Sequence, residues 1–473
     1  MTQSFRSQIG RWLVSVKALT KRIHSTFPSV TATTRTEHGL SRSHASLASI
    51  RDCSTGGASR LTAISGDWIH LIAVWSLAPR ETEAGDSMRV LLTLGKHPKT
   101  LAAARSIGKS GRVVFTTDDT KFPLARFSRY CSGHFRINSP SASPQSFFED
   151  LRTIVRDNAI DLVIPMDEPE LDILVEHDAQ TTLGAKVATT SANSYSIARD
   201  KHKTIRHAES LGIGVPKTRL VSSYAQLGDA VEDVGFPAVI KPCMSSGSRG
   251  FLVLENRESV ARALPVIEKH KRLIAQEYIP SNCSLGVSLL MKNGKRIAEF
   301  THKRVLEFPF SGGPSIVRIS ARDEVSEGYA TRLLEALSWH GVAMVEFRID
   351  TRTNQPMLME INPRFWGSLP LAIACGVDFP KMLCELYESG ETTVVESYRL
   401  GVKCSNFLPL GAAAVISAGG IRKSLRILKE IVNSNCHDVE SFQDPLPTLG
   451  ACLSMLAALS SDEMVDMVFR RTV

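Results

Sequence analysis

Residues 340–370, HGVAMVEFRIDTRTNQPMLMEINPRFWGSLP, constrain this chain more than any other stretch. Apolar and polar residues alternate on both sides of a polar turn, Asp350 to Gln355, which predicts two strands joined as a hairpin. Glu346 falls on the first strand, and Glu360 and Asn362 on the second. Positions i and i+2 of a strand share a face, so Glu360 and Asn362 point together and Glu346 can stand opposite them. Three hard oxygen donors thus converge. Two carboxylates held side by side repel unless a cation or a proton lies between them, and oxygen ligands without Cys or His favour magnesium or manganese. Magnesium held by one or two carboxylates usually serves a nucleotide phosphate. Arg364, two residues further on, would then meet a transferring phosphoryl group, because a guanidinium is always charged and forks onto phosphate oxygens. A hairpin whose acids merely face solvent is the competing reading.

The string MEINPR, with Glu346 before it, resembles the metal-binding end of the ATP-grasp superfamily, the fold of biotin carboxylase, carbamoyl-phosphate synthetase and D-alanine ligase. The resemblance spans residues 88–390. It implies an α/β and α+β multidomain chain, in which a Rossmann-like pre-ATP-grasp domain (88–190) precedes a two-lobed ATP-grasp fold. The nucleotide lobe would occupy 191–280 and the metal and catalytic lobe 281–390, with an appended segment at 391–473.

The first domain reads as an alternation of apolar strands (Arg89–Gly95, Arg112–Thr117, Ile160–Met166) and helices (His97–Gly108, Gln145–Asn158), hence a parallel, doubly wound sheet. The turn GKHPKT after its first strand is no G-x-G-x-x-G, which disfavours dinucleotide binding. Asp167, Glu168, Glu170 and Asp172 follow the third of these strands. Open sheets place ligands there, but a solvated first helical turn explains acids at that point equally well.

In the nucleotide lobe, a helix capped by Ser191 is expected to run to Gly212 and to carry Lys201. A helical Lys is ordinarily a solvated charge; by resemblance this one is the first phosphate-binding lysine. The strand FPAVIKP puts Lys241 at its mouth, and the loop CMSSGSRG follows. Ser246, Gly247, Ser248 and Gly250 let the backbone approach phosphate closely. Lys241 before this loop resembles the family's second lysine and phosphate lid. LIAQEYI resembles the adenine hinge, which places Glu277 and Ile279 at the adenine edge and Tyr278 in the slot. Where relatives often carry a ribose-binding acid, this chain has SNCSLG, leaving Asn282 as a neutral substitute.

The catalytic lobe opens with a hairpin around Asn293-Gly294, a type I′ turn signal. His302, Lys303 and Arg304 precede the glycine-bearing run EFPFSGGPS; a basic triplet there suits a carboxylate or phosphate, or forms the polar rim of a strand. Phe365 and Trp366 read as core rather than as a substrate stack. The tail holds a basic helix near 421–432, a DPLP turn and an apolar run at 449–460, and is expected to dock as an appended element.

By resemblance the parts together imply a ligase related to the carbamoyl-phosphate-synthetase-like stand-alone enzymes. ATP with magnesium or manganese would phosphorylate a carboxylate, and an amine would displace phosphate. Arg364, Arg304 and Lys303 are the expected catalytic residues, and Glu346, Glu360 and Asn362 the metal ligands. The biotin carboxylase reaction is disfavoured, because that enzyme's C-terminal domain and bicarbonate machinery are not recognisable. A non-catalytic module that binds ATP for regulation is the alternative. The expected partners are a small-molecule carboxylate and amine, with a homodimer as the assembly that relatives suggest.

Charge excludes a further class. Seven of the eight formal net positive charges over 473 residues reside in residues 1–80, where ten Lys/Arg face three Asp/Glu; the remainder is nearly balanced at 46 against 45. No basic nucleic-acid groove is expected in the main body. The nine Cys show no zinc spacing and read as reduced thiols. The apolar window Trp68–Ala78 is too short to span a bilayer, so no membrane partner is expected. The first 36 residues lack acids, and 5–23 could form a basic amphipathic helix. Residues 1–87 therefore read as a transit-like leader with a mitochondrial address, as a disordered tail, or as sequence upstream of a start at Met88 in a cytoplasmic protein.

Overall fold

The computed structural model describes residues 87–245, 250–308 and 313–458. The expected leader up to residue 86 and the loop residues Ser246, Gly247 and Ser248 lie outside them. Nearly all described residues belong to one compact unit, 81–455; a second, of 1–80 and 456–464, falls almost wholly outside.

Strands β1 (Arg89–Leu92), apolar and buried after its first residue, and β4 (Leu162–Ile164), apolar throughout, have the pattern of strands covered on both faces. With β2 (Val113–Asp118), β3 (Gly133–Arg136) and β5 (Lys186–Val187) they build a parallel sheet ordered β3-β2-β1-β4-β5. Val90 and Leu92 share one core with the alanines of α1 (Pro98–Lys109). Leu91 and Val163 point the other way, into a core with Phe147 and Leu151 of α2 (Pro144–Asp157). Strand order reverses between β1 and β4, so a crevice opens at the carboxyl ends of these two strands, where open sheets of this kind place ligands. Helix α3 (Glu168–Glu176) starts at that crevice. β3 was not foreseen: its residues GHFR are only partly buried and do not alternate.

The single helix expected from Ser191 to Gly212 is two, α4 (Ala192–Arg199) and α5 (Lys201–Ser210). Asp200 breaks it: its backbone is extended, and its side chain accepts the His202 and Lys203 amides, capping α5. Next come β6 (Thr218–Val221), α6 (Tyr224–Val234), β7 (Ala238–Pro242), β8 (Leu252–Leu254), α7 (Leu264–Lys269) and β9 (Leu273–Glu277). The four strands form an antiparallel sheet ordered β6-β9-β7-β8, with Leu227 and Val231 of α6 packed on Ile240 and Ala275.

The large sheet begins with β10 (Ser284–Lys292) and β11 (Lys295–Glu307), whose turn has positive φ at both Asn293 and Gly294, as a type I′ turn requires. β12 (Ser315–Ala321), α8 (Glu324–Ala336), β13 (Gly341–Ile349), β14 (Pro356–Asn362), α9 (Leu369–Cys375) and α10 (Phe379–Ser389) follow.

The tail is less separate than expected. β15 (Lys403–Ser405) pairs antiparallel with β12, α11 (Ala412–Ser417) and α12 (Ile421–Val432) pack beside it, and β16 (Cys436–His437) closes the order β14-β13-β10-β11-β12-β15-β16. Before α13 (Leu446–Ala458), Asp444 accepts from Arg105 Nε at 2.9 Å, Ser128 Oγ at 2.6 Å and the Arg129 amide at 2.9 Å, which ties the tail to the parallel sheet's layer. Asp444→Ala leaves the largely buried Arg105 without its carboxylate. It is expected to cost about 3 kcal/mol, seen as a lowered thermal midpoint.

Candidate active site

The hairpin register sets Glu346 directly opposite Glu360, and Met344 opposite Asn362. A bulge after Glu346 lets Met359 fall out of the ladder, and such bulges re-aim neighbouring side chains. Asn362 Nδ2 lies 3.3 Å from Glu346 Oε1 and 3.4 Å from Glu360 Oε1, so the structure brings the three expected ligands together. Rotating that amide aims its oxygen at the same point. Two carboxylates and an amide, without thiol or imidazole, fit a small hard cation such as magnesium.

The pair is flanked by cations. Lys201 Nζ is 3.1 Å from Glu360 Oε2, and Arg304 Nη2 is 2.6 Å from Glu346 Oε2. Burial pushes the Glu346 carboxyl up, against Arg304 and with help from Glu360. Burial acts on Glu360 too, but Lys201 and Lys241 outweigh it and hold that carboxyl below its usual range. The arrangement keeps negative charge on Glu360.

Lys201 reaches this position because Asp200 makes it the first residue of α5. Its amide donates to Cys243 O at 2.9 Å, and its Nζ to Ser245 O, where the small-residue loop starts. Lys241 ends β7 beside it; burial, with Lys201 nearby, pushes its ammonium down to about 8. Gly250 closes the loop with φ +75°, and a Cβ there would sit 2.9 Å from Pro242 Cγ, so glycine is required on both counts.

At the expected hinge, the Glu277 carboxylate is held by Arg352 Nη2 at 2.6 Å, and the Glu277 and Tyr278 amides donate to Lys217 O and Pro237 O. Ile279 is buried and Asn282 exposed. The neighbouring Gln276, which sequence reasoning passed over, is buried and donates to Thr218 Oγ1 at 2.8 Å.

Arg304 shares the carboxylates' face of the sheet, but Lys303 does not. As the next residue of β11 it points to the other face, is exposed and neighbours Cys283, so the expected catalytic place for Lys303 is corrected. His302 shares the Arg304 face as a buried group. Burial, with Arg304 and Arg318 nearby, pushes it down to about 3, and its Nδ1 lies 3.2 Å from Ser368 Oγ. Gly286 sits between Glu346 and His302 in the ladder, and a Cβ there would lie 2.3 Å from His302 Cε1. Gly286→Ala is expected to destabilise by about 1–3 kcal/mol in a denaturant titration, because the imidazole has no room to retreat.

Arg364 turns out to belong to two parts of the fold at once. Its Nη2 lies 2.8 Å from Glu168 Oε1 and its Nε 3.0 Å from Asp167 Oδ1, the latter an ion pair without an aligned N–H. Lys99 adds its Nζ at 3.3 Å from Asp167 and donates to Phe365 O. Burial raises the Asp167 carboxyl, yet Lys99 and Arg364 prevail and hold it well below the usual range. Burial and Asp167 push Glu170 up to about 7. The crevice of the parallel sheet and the β13–β14 hairpin thus share one cleft, lined by Glu168, Lys201, Ser245, Glu360 and Asn362. Lys99 had no signal in the sequence, where it is one lysine in an alanine-rich helix. Phe365 and Trp366 are fully buried, as core residues.

The family model described as the ATP-grasp domain matches residues 198–368. The carbamoyl phosphate synthase large chain, N-terminal section, of Methanopyrus kandleri is 22% identical over 232 residues, covering 47% of this chain and 40% of the relative. The formate-dependent phosphoribosylglycinamide formyltransferase of Methanocaldococcus jannaschii is 25% identical over 227 residues, 46% of this chain and 57% of the relative. The chain therefore spans about half the length of the curated relatives it matches. Among solved structures, biotin carboxylase of Campylobacter jejuni aligns with TM-score 0.57 at 15% identity, over 66% of this chain and 74% of that one. N5-carboxyaminoimidazole synthetase of Staphylococcus aureus aligns with TM-score 0.55 at 16% identity, over 71% and 86%. These two show a shared fold. Residues 198–368 are thus identified by the family model as an ATP-grasp domain.

Proposed function

We propose that this protein uses ATP to activate a carboxylate as an acyl phosphate and joins it to an amine, releasing ADP and phosphate. The observation that carries this reading is the single cleft in which Glu346, Glu360 and Asn362 meet Lys201 and the Asp167–Glu168–Arg364 cluster. A pure binding module has no need for such a convergence of donor and acceptor groups.

Glu346, Glu360 and Asn362 would hold magnesium, which when bound supplies charge compensation for the β- and γ-phosphate oxygens. Lys201 and Lys241 neutralise the oxygens further back along the triphosphate, and the 277–279 segment receives the adenine. A substrate carboxylate oxygen attacks the γ-phosphorus, the bond to the β–γ bridging oxygen breaks, and ADP leaves. Arg364 holds the phosphoryl oxygens as they move, at a position fixed by its two acidic partners. The amine nitrogen then attacks the acyl carbon, the carbon–oxygen bond to phosphate breaks, and the surplus amine proton leaves to solvent. Glu168, whose Oε2 is buried without a partner among the described residues, is placed to accept an N–H of that amine. On this reading the 88–190 sheet is the pre-ATP-grasp domain that completes the substrate site.

ADP release with magnesium and ATP, against pools of carboxylates crossed with pools of amines, tests the proposal. Formate, named in the relative from M. jannaschii, belongs in the first pool. Release that requires one member of each pool supports a ligase. ATP that binds but yields ADP with none of the pairs supports a regulatory module instead.

A further inference from the structure

Helix α12 has two apolar faces, and the fold uses only one. Ile427 and Ile431 are buried against Phe308, Val317 and Ala414. Ile421, Leu425, Leu428 and Val432 are 80%, 59%, 37% and 67% exposed. Their spacing of four, three and four residues places them in one stripe along the helix. Ile416, at the end of α11 just before, is 52% exposed as well. Bulky aliphatic groups in a continuous row at such exposure mark a contact surface rather than scattered surface residues.

The charges beside the stripe say what the contact is. Arg422, Arg426 and Lys429 are exposed and fall on the side of the helix away from Ile427 and Ile431, next to the stripe, and Lys423 is exposed nearer the buried face. The one acid of α12, Glu430, is neutralised by Lys403 at 2.9 Å. Two copies packed stripe to stripe would bring these cations together, which disfavours self-association. An apolar row bordered by arginine and lysine is instead complementary to a surface that offers hydrocarbon beneath negative charge. No helix among the described residues is long and apolar enough to cross a membrane, so the contact is peripheral. We propose that α12 is an interfacial helix that lays Ile421, Leu425, Leu428 and Val432 into an anionic lipid surface with its basic flank among the headgroups.

The test is sedimentation of the full chain with vesicles of phosphatidylcholine alone or mixed with phosphatidylglycerol. Because residues 5–23 are also basic, the deciding quantity is the difference between the wild type and α12 variants. Ile421→Asp/Leu425→Asp is expected to weaken binding to the mixed vesicles at least about tenfold. Arg422→Glu/Lys429→Glu is expected to abolish the preference for mixed over neutral vesicles, and high salt should weaken wild-type binding. All four positions are exposed, so thermal midpoints should stay unchanged, which separates lost docking from lost fold. Equal binding by wild type and variants, binding indifferent to lipid charge, or no binding overturns the proposal. A wild-type dimer that Leu425→Asp separates also overturns it, in favour of a second copy on the stripe. A variant that sheds thermal stability overturns it too, because the chain itself would then cover the row.

Discussion

Glu360→Ala consumes ATP at least about a thousandfold more slowly than the wild type, with little loss of stability. The two halves of this expectation have different physical origins. For turnover, Glu360 is the carboxylate kept ionised by Lys201 and Lys241, and it shares a focus with Glu346 and Asn362. Its removal takes away half the negative charge available to a divalent cation. For stability, the register that makes the site places two carboxylates directly opposite each other, an unfavourable pairing. Deleting one relieves it, while Lys201 keeps the Ser245 carbonyl as a partner. A net change within about 1 kcal/mol follows. Initial rates of ADP release, read with a thermal melt of the same preparation, check both halves. Full activity would remove Glu360 from the ligand set.

Arg364→Ala should lose both properties. Its guanidinium faces Asp167 and Glu168 in a buried cluster, and removing one side of such a cluster strands the other, at about 3–5 kcal/mol. A single variant would not say whether lost turnover reflects lost fold. Arg364→Ala combined with Glu168→Gln removes a stranded charge together with its partner. It should regain a large part of the stability in a denaturant titration and none of the ADP release. Recovery of turnover in the double variant would show that Arg364 acts only as a countercharge.

The β13–β14 hairpin was legible because strand alternation and one short turn fix it locally, and Glu346, Glu360 and Asn362 needed no distant partner to be aligned. Lys201 was legible only by resemblance. Its real setting depends on Asp200 ending one helix and capping the next, a choice also influenced by Arg272 at 2.9 Å. Lys303 was misplaced because a basic triplet on a strand must divide between two faces, and residue type alone does not say which. The meeting of Arg364 with Asp167 and Glu168 joins positions almost two hundred residues apart, and the acids' capping of α3 would look the same in sequence without it. The tail's strands are two and three residues long, too short for any period to appear.

The clasp of Asp444 on Arg105 and Ser128 has a consequence for motion. The large sheet is bound to the parallel one at two separated places, through Arg364 at the cleft and through the tail at α1, and a body held at two points cannot pivot about either. The parallel sheet and the sheet that carries the β13–β14 hairpin therefore form a fixed anvil. The small four-stranded sheet, which brings Lys241, is joined to that anvil by separate ties, Arg352 on Glu277 at 2.6 Å and Arg272 on Asp200 at 2.9 Å.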